Sequence, residues 1–334
     1  MAASLCVLPP ELISCILSSL EKPDVKNVCL VSKCLYCGAT DAFYSDIEIN
    51  LNDYQHKQSP LKRFLRTLLD KDWLGYAVKQ FALLGDECQG DSHHVVGDSA
   101  LLQLSKDQFE QASSTSLDAL NGSNLLLVAL ILAKLPNIQY LRLGIKFLTM
   151  SASLGVFLGC GLTIPGGRFH ANSLSTLSHL THVVFAPIVD LDGEGRKAKP
   201  HFEDVDQYLD WPPDGLFADR PIDSLQAIAL FYLPVIQSID ILLPSSARRL
   251  QWPGDRPHTV TLTILILRST TCGEDTIEEL LRVTPNLKKL SYERFYDPNE
   301  LPERRLPNPR RLYIALQHVK RTLEELVIRI EVYY

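Results

Sequence analysis

The sequence predicts a mixed α/β (α+β) fold, with a module of three short helices on residues 1–46 and, on 47–334, an irregular solenoid of helices and strands whose strands stack into a curved parallel sheet. Three observations predict it. Near the start, apolar residues recur at helical spacing between prolines and capping residues. Further on, an apolar helix, a polar break and a short strand recur as a unit, and such repeats bury their apolar faces on one another. The 334 residues, 46% of them hydrophobic, suffice for about two domains with packed cores.

The first helix follows from Leu8-Pro9-Pro10-Glu11-Leu12-Ile13 and its continuation through Cys15-Ile16-Leu17-Ser18-Ser19-Leu20. Proline is favoured in a first helical turn, and Leu12, Ile13, Ile16, Leu17 and Leu20 make the apolar stripe. Glu21-Lys22-Pro23-Asp24 breaks it, after which Val25, Val28 and Cys29 mark a second short helix leading into Leu30-Val31-Ser32-Lys33. Helices this short are marginal in isolation and must pack.

These residues resemble the F-box, whose pattern begins with Leu-Pro-x-Glu-Leu, has an Ile-Leu pair about one turn later and closes with Val-Ser-Lys. The match covers residues 8 to 46 and extends to the tail Phe43-Tyr44-Ser45-Asp46-Ile47-Glu48-Ile49, which looks like a strand leaving the module. Where the family commonly has Arg and Trp after Val-Ser-Lys, Cys34-Leu35-Tyr36 stands here. The resemblance implies a non-catalytic subunit that binds the Skp-type adaptor of a cullin-RING ubiquitin ligase, reaches the cullin through it, and selects a protein substrate with the rest of the chain. It also implies adaptor contacts at Leu8, Pro9, Glu11, Ile13, Leu17, Val31, Lys33 and Leu35. A module of about 40 residues lies near the lower limit for independent folding. Part of its apolar surface, including Leu8, Pro9, Ile13 and Leu17, is therefore expected to remain available to a partner.

Beyond the module, apolar residues at 61, 64, 65, 68 and 69 predict a helix, and Tyr76 to Leu83 a strand, a combination that looks like the C-terminal region of many fungal F-box proteins. A polar, Gly-rich loop is expected at 85–94 and a helix over 98–111. The clearest unit is a helix over 124–134, the break Leu135-Pro136-Asn137, and the strand Ile138 to Leu143. The same form recurs at 177–185, 233–241, 284–292 and 321–328, and another strand fits at 260–267. Leu-x-x-Leu-x-Leu sends three side chains to one interior, which is the pattern of a leucine-rich-repeat solenoid with helices on its convex side. The repeats are degenerate: Leu141 and Leu290 are 149 residues apart and Leu290 and Leu326 are 36 apart, and Lys146 and Phe295 stand where a ladder Asn is usual. The concave face is the expected partner surface, joined by rim loops at 187–224 (acidic, Pro-rich) and 298–311 (basic, Pro-rich).

Other chemistries find little support. The net charge of -6 gives no footprint for nucleic acid. The uncharged run 147–167 holds too many Gly, Ser, Thr and Pro residues for a membrane span. Asp190-x-Asp192-x-Glu194-Gly195 imitates a calcium loop, but position twelve is His201. Cys34-x-x-Cys37 has no second pair at zinc-finger distance, His93-His94 lacks a metalloprotease context, and the Gly159-to-Gly167 run lacks a Walker lysine. No metal, cofactor or catalytic residue is expected. Eight cysteines without a secretory pattern predict a reducing compartment, cytoplasmic or nuclear, where they serve as small hydrophobes. Trp73, Trp211 and Trp252 are read as packing residues before partner anchors. The expected function is a substrate receptor of an SCF-type ligase; the alternative is a leucine-rich-repeat scaffold that binds the adaptor outside a ligase.

Overall fold

The computed structural model describes residues 8–31, 33–51, 60–84, 124–144, 177–186, 228, 230–242, 252, 256–270, 272–296 and 308–332. Three helices open the chain: α1 (Pro10–Ser18), α2 (Lys22–Val31) and α3 (Lys33–Tyr44). The eight strands are β1 (Asp46–Asn50), β2 (Gln80–Leu84), β3 (Tyr140–Gly144), β4 (His182–Ala186), β5 (Ser238–Leu242), β6 (Ile264–Thr270), β7 (Lys289–Tyr296) and β8 (Glu325–Val332). Between them lie α4 (Pro60–Asp70), α5 (Trp73–Ala77), α6 (Asn124–Ala133), a 3₁₀ turn at Leu230–Tyr232, α7 (Glu274–Val283) and α8 (Pro309–Leu316).

All eight strands form one sheet in chain order, and each adjacent pair is parallel. The described helices α4, α6 and α7 pack against these strands in a shared apolar core. In register, Phe81, Leu141, Val183, Ile239, Leu265 and Leu290 form one fully buried row, and Leu83, Leu143, Phe185, Ile241, Leu267 and Tyr292 form the next. Each such side chain removed from water stabilises the fold by about 1.5–3 kcal/mol. These rows, with Leu61, Leu65 and Leu68 of α4, Leu127 and Ile131 of α6, and Ile277, Leu280 and Leu281 of α7, make one continuous core.

A repeated backbone device joins the strands. The carbonyl of Ser45, two residues before Ile47, accepts the N–H groups of both Lys79 and Gln80. Lys79, Gln139, Thr181, Gln237, Thr263 and Lys288 do the same for the unit that follows each, at 2.7–3.0 Å throughout. Side chains reinforce this column: Thr181 and Thr263 hydroxyls donate to the carbonyls of Gln139 and Gln237. The asparagine in each Pro-Asn break also reaches back, Asn137 Nδ2 to the Tyr76 carbonyl at 2.9 Å and Asn286 Nδ2 to that of Val260 at 2.8 Å. The stitching thus sits before each strand.

A strand stands at each place where the sequence predicts one, with starts displaced by up to four residues: Tyr76 and Ala77, read into the strand ending at Leu83, close helix α5 instead, and the strand read over 260–267 begins at Ile264. Residues 46–50, read as the tail of the helical module, form the first strand of the sheet, with Ile47 opposite Phe81. One expectation is corrected: the insertion expected over 298–311 ends in helix α8, because Asn308 caps it by accepting from the N–H groups of Arg310 and Arg311, with Pro309 in its first turn. The expectations at 85–94, 98–111, 147–167, 187–224 and 298–307 lie outside the described residues.

At the C-terminal end a buried polar knot fixes α7, β7 and α8 together. Glu274, at the start of α7, accepts from Arg294 Nη1 and from the backbone N–H of Asn308, and both side chains of the pair are nearly buried. Beside it the Tyr292 hydroxyl donates to the Cys272 carbonyl at 2.9 Å, and Arg311 grips Asp275. Burial pushes the Tyr292 phenol up to about 12, against a smaller downward pull from Arg294.

Because the folded phenol is harder to ionise than the unfolded one, its contribution is complete below about pH 10 and is lost as pH rises through 10 towards 12. Urea titrations across that range should show the native chain losing stability faster than Tyr292→Phe. At the other end of the sheet, a Cβ on Gly75 would stand 2.0 Å from the Lys134 carbonyl oxygen, since α5 touches the break after α6 there. Gly75→Ala should cost about 1–3 kcal/mol by urea denaturation, whereas changing the exposed Trp73 to Ala should stay within about 0.5.

Candidate protein-interaction surfaces

Helices α1 and α2 both pack on α3, around a small core of Leu17, Val25 and Ala39 that is separate from the sheet core. Proline opens α1: the Pro9 carbonyl accepts from the N–H groups of Leu12 and Ile13. Gly38 of α3 faces Leu17 and Ile13 across this contact, and an added Cβ would meet Leu17 Cδ1 at 3.4 Å and Ile13 Cγ2 at 3.9 Å, ordinary packing distances. On the α2 side, Cys29 and Thr40 meet, and the Thr40 hydroxyl donates to the Tyr36 carbonyl. Helix α3 in turn packs against α5 and β1.

This packing sorts the expected adaptor contacts. Leu17 and Leu35 are buried, at 3% and 9% exposure, which corrects the expectation that Leu17 stays available: it packs with Val25 and Ala39 in the core of the helical module. Leu8 and Ile13 are half-buried, and Pro9, Glu11, Val31 and Lys33 are exposed. Sequence reasoning missed the apolar residues that do face water, Leu12, Ile16, Leu30 and Tyr36; Leu30 and Val31 are 79% and 84% exposed. A helical stripe of Leu12, Ile13, Ile16 and Leu17 is wider than the contact with α3, so its flank at Leu12 and Ile16 stays outside.

The second surface is the sheet face opposite the helix-side rows. On β3 and β4 the Tyr140 and His182 rings lie with centroids 6.3 Å apart. The Thr181 hydroxyl donates to the Gln139 carbonyl and also lies 2.8 Å from His182 Nδ1. Across β5 and β6, Arg268 holds Asp240 in a two-point contact at 2.6 and 2.7 Å. That hydrogen bond, opposed in part by burial, raises the Arg268 pKa, and Glu293 adds to the upward pull. On β7 and β8, Lys289 pairs with Glu325 and Arg329 with Glu293, each at 2.8 Å. The charges alternate and neutralise one another. Such a face suits polar contacts with a protein rather than a phosphate or a metal ion.

Among the described residues no group of three or more His, Cys, Asp or Glu could hold a metal ion, and no helix is long and apolar enough to cross a membrane. Cys37 lies exposed on α3, and Cys15 is exposed on α1, so neither serves as the packing hydrophobe expected of it; Cys272 is buried and Cys29 half-buried. Trp252 packs edge-on to Phe231 and Tyr232, as expected of a packing residue, while Trp73 is 46% exposed. The residues of the calcium-like run, the His93-His94 pair, the glycine run and Trp211 lie outside the described residues. Compared with models of known protein families and with curated proteins, the chain matches none.

Asp240 is almost wholly buried, so removing its partner strands a carboxylate. Arg268→Met should destabilise the chain by about 1.5–3 kcal/mol in urea, and adding Asp240→Asn should return part of that loss in a double-mutant cycle.

Proposed function

We propose that this chain is a substrate-receptor subunit of an SCF-type ubiquitin ligase, in which residues 8–46 act as an F-box and the sheet with its helices acts as a leucine-rich-repeat solenoid that carries the substrate. The observation that supports the reading is the helical cluster bearing Leu8-Pro9-Pro10-Glu11-Leu12 and Val31-Ser32-Lys33: it closes a core of its own yet leaves Leu12, Ile16, Leu30 and Val31 in water. Exposed apolar side chains on a module with so small a core are the mark of a surface completed by a partner. In this reading Leu8, Pro9, Glu11, Ile13, Val31 and Lys33 meet the Skp-type adaptor, and Leu17 and Leu35 shape the module from within. The substrate lies on the open sheet face, through the polar pairs between β3 and β8. The ligase's chemistry belongs to other subunits; this chain supplies proximity.

The test is purification of the full chain from cells with the proteasome blocked. Recovery of both adaptor and cullin is expected; adaptor without cullin would favour the scaffold reading, and recovery of neither would sink the proposal. Leu8→Ala with Pro9→Ala, and separately Val31→Asp, should weaken adaptor capture at least tenfold, as expected from the about 1.5–3 kcal/mol carried by one buried apolar side chain. Circular dichroism should be unchanged, because these side chains lie outside the buried cores.

A further inference from the structure

The two ends of the sheet differ. Strand β1 is bordered by α3, whereas β8 is the last strand and, among the described residues, pairs on one side only. It is long, Glu325–Val332, and its helix-side residues Leu326, Ile328 and Ile330 are 42%, 40% and 47% exposed, although the equivalent Leu290 and Tyr292 on β7 are fully buried. An edge of this length with an apolar row is a template for another strand.

The sequence of β8 indicates which strand. We propose that β8 pairs antiparallel with β8 of a second copy of this chain, about a two-fold axis at Val327, so that two eight-stranded sheets become one. In an antiparallel pair residues directly opposite share a face, and a slip of one residue would set the apolar row against the charged one. With the axis at Val327, Glu325 lies opposite Arg329 of the second copy and Arg329 opposite its Glu325, while Leu326 meets Ile328 on the helix side in both directions. These contacts extend pairs already present within each chain, Lys289 with Glu325 and Glu293 with Arg329. Across the seam the row reads Lys289, Glu325, Arg329, Glu293, with sign alternating at every step. Opposite charges on facing strands stabilise a sheet and like charges oppose it.

Neighbouring registers are poorer. An axis at Ile328 sets Glu325 against Glu331, and one at Arg329 sets that arginine against itself. An axis at Ile330 opposes Arg329 to Glu331 but leaves Glu325 beyond the paired strands. Only the axis at Val327 gives both Glu325 and Arg329 an opposite charge within the strand.

The test is sedimentation velocity on the purified full chain and on two charge variants. Glu325→Arg places two arginines opposite each other at each of the two contacts, and Arg329→Glu places two glutamates there. Both positions are exposed, so each variant is expected to keep the native circular dichroism. The native chain should form a concentration-dependent dimer, and each variant should dissociate at least ten times more readily. An equimolar mixture of the two variants restores opposite charges at both contacts, and the dimer should return. A native chain that stays monomeric at high micromolar concentration, as it would if another segment of the chain covered β8, would overturn the proposal. So would variants that dimerise like the native chain, or a mixture that remains monomeric.

Discussion

Everything in the sheet depends on a column of seven carbonyls. Ser45, Lys79, Gln139, Thr181, Gln237, Thr263 and Lys288 each accept two N–H groups from the next unit, just before that unit's strand begins. A backbone carbonyl in a packed layer must be satisfied, and one with two lone pairs can bind two donors at once. The column therefore fixes the height of every strand relative to its neighbour, and the two buried rows fall into line behind it. Connector length does not matter to such a joint. Leu265 and Leu290 are 25 residues apart and Phe81 and Leu141 are 60 apart, yet both pairs stand in register.

What repeats is thus a short block rather than a whole unit. Leu135, Ile138, Leu141 and Leu143 are all buried, and so are Leu177, Leu180, Val183 and Phe185, and Leu233, Ile236, Ile239 and Ile241. The spacing of three, three and two recurs with Thr284, Leu287, Leu290 and Tyr292. The first two positions turn the chain into the sheet and the last two lie on the strand, so one block sets both the turn and the register. Gly75 occupies the first position where two turns touch, which is why a side chain cannot be accommodated there.

Polar groups do the remaining work at places where apolar packing would not discriminate. The Glu274–Arg294 pair costs desolvation, but Glu274 also satisfies the N–H of Asn308 at the threshold of α8, so the knot specifies where that helix starts. On the open face the alternating pairs from Asp240 to Arg329 leave a polar surface without a net field. Among the described residues, exposed apolar side chains cluster on the flank of α1 with the end of α2 and on the helix side of β8.

The sequence by itself determined the first two N-terminal helices, the helices at 60–70 and 124–133, the approximate position of every strand from β2 to β8 and their parallel order, because each strand carries its own alternating apolar residues and its own Pro or polar break. Local spacing is sufficient for that, since the side chains that define a strand lie within eight residues of one another. Tertiary structure decided the rest. Residues 46–50 belong to the sheet because Ile47 finds Phe81, a partner 34 residues away that no local pattern announces. Leu17 turned inward because Val25 and Ala39 close a core around it, and Leu12 and Ile16 stayed outside because one helix contact cannot cover a stripe that wide. The same limit governs the candidate surfaces: exposure is a difference between what a helix or strand presents and what its neighbours can cover, and only the packed chain fixes the second quantity.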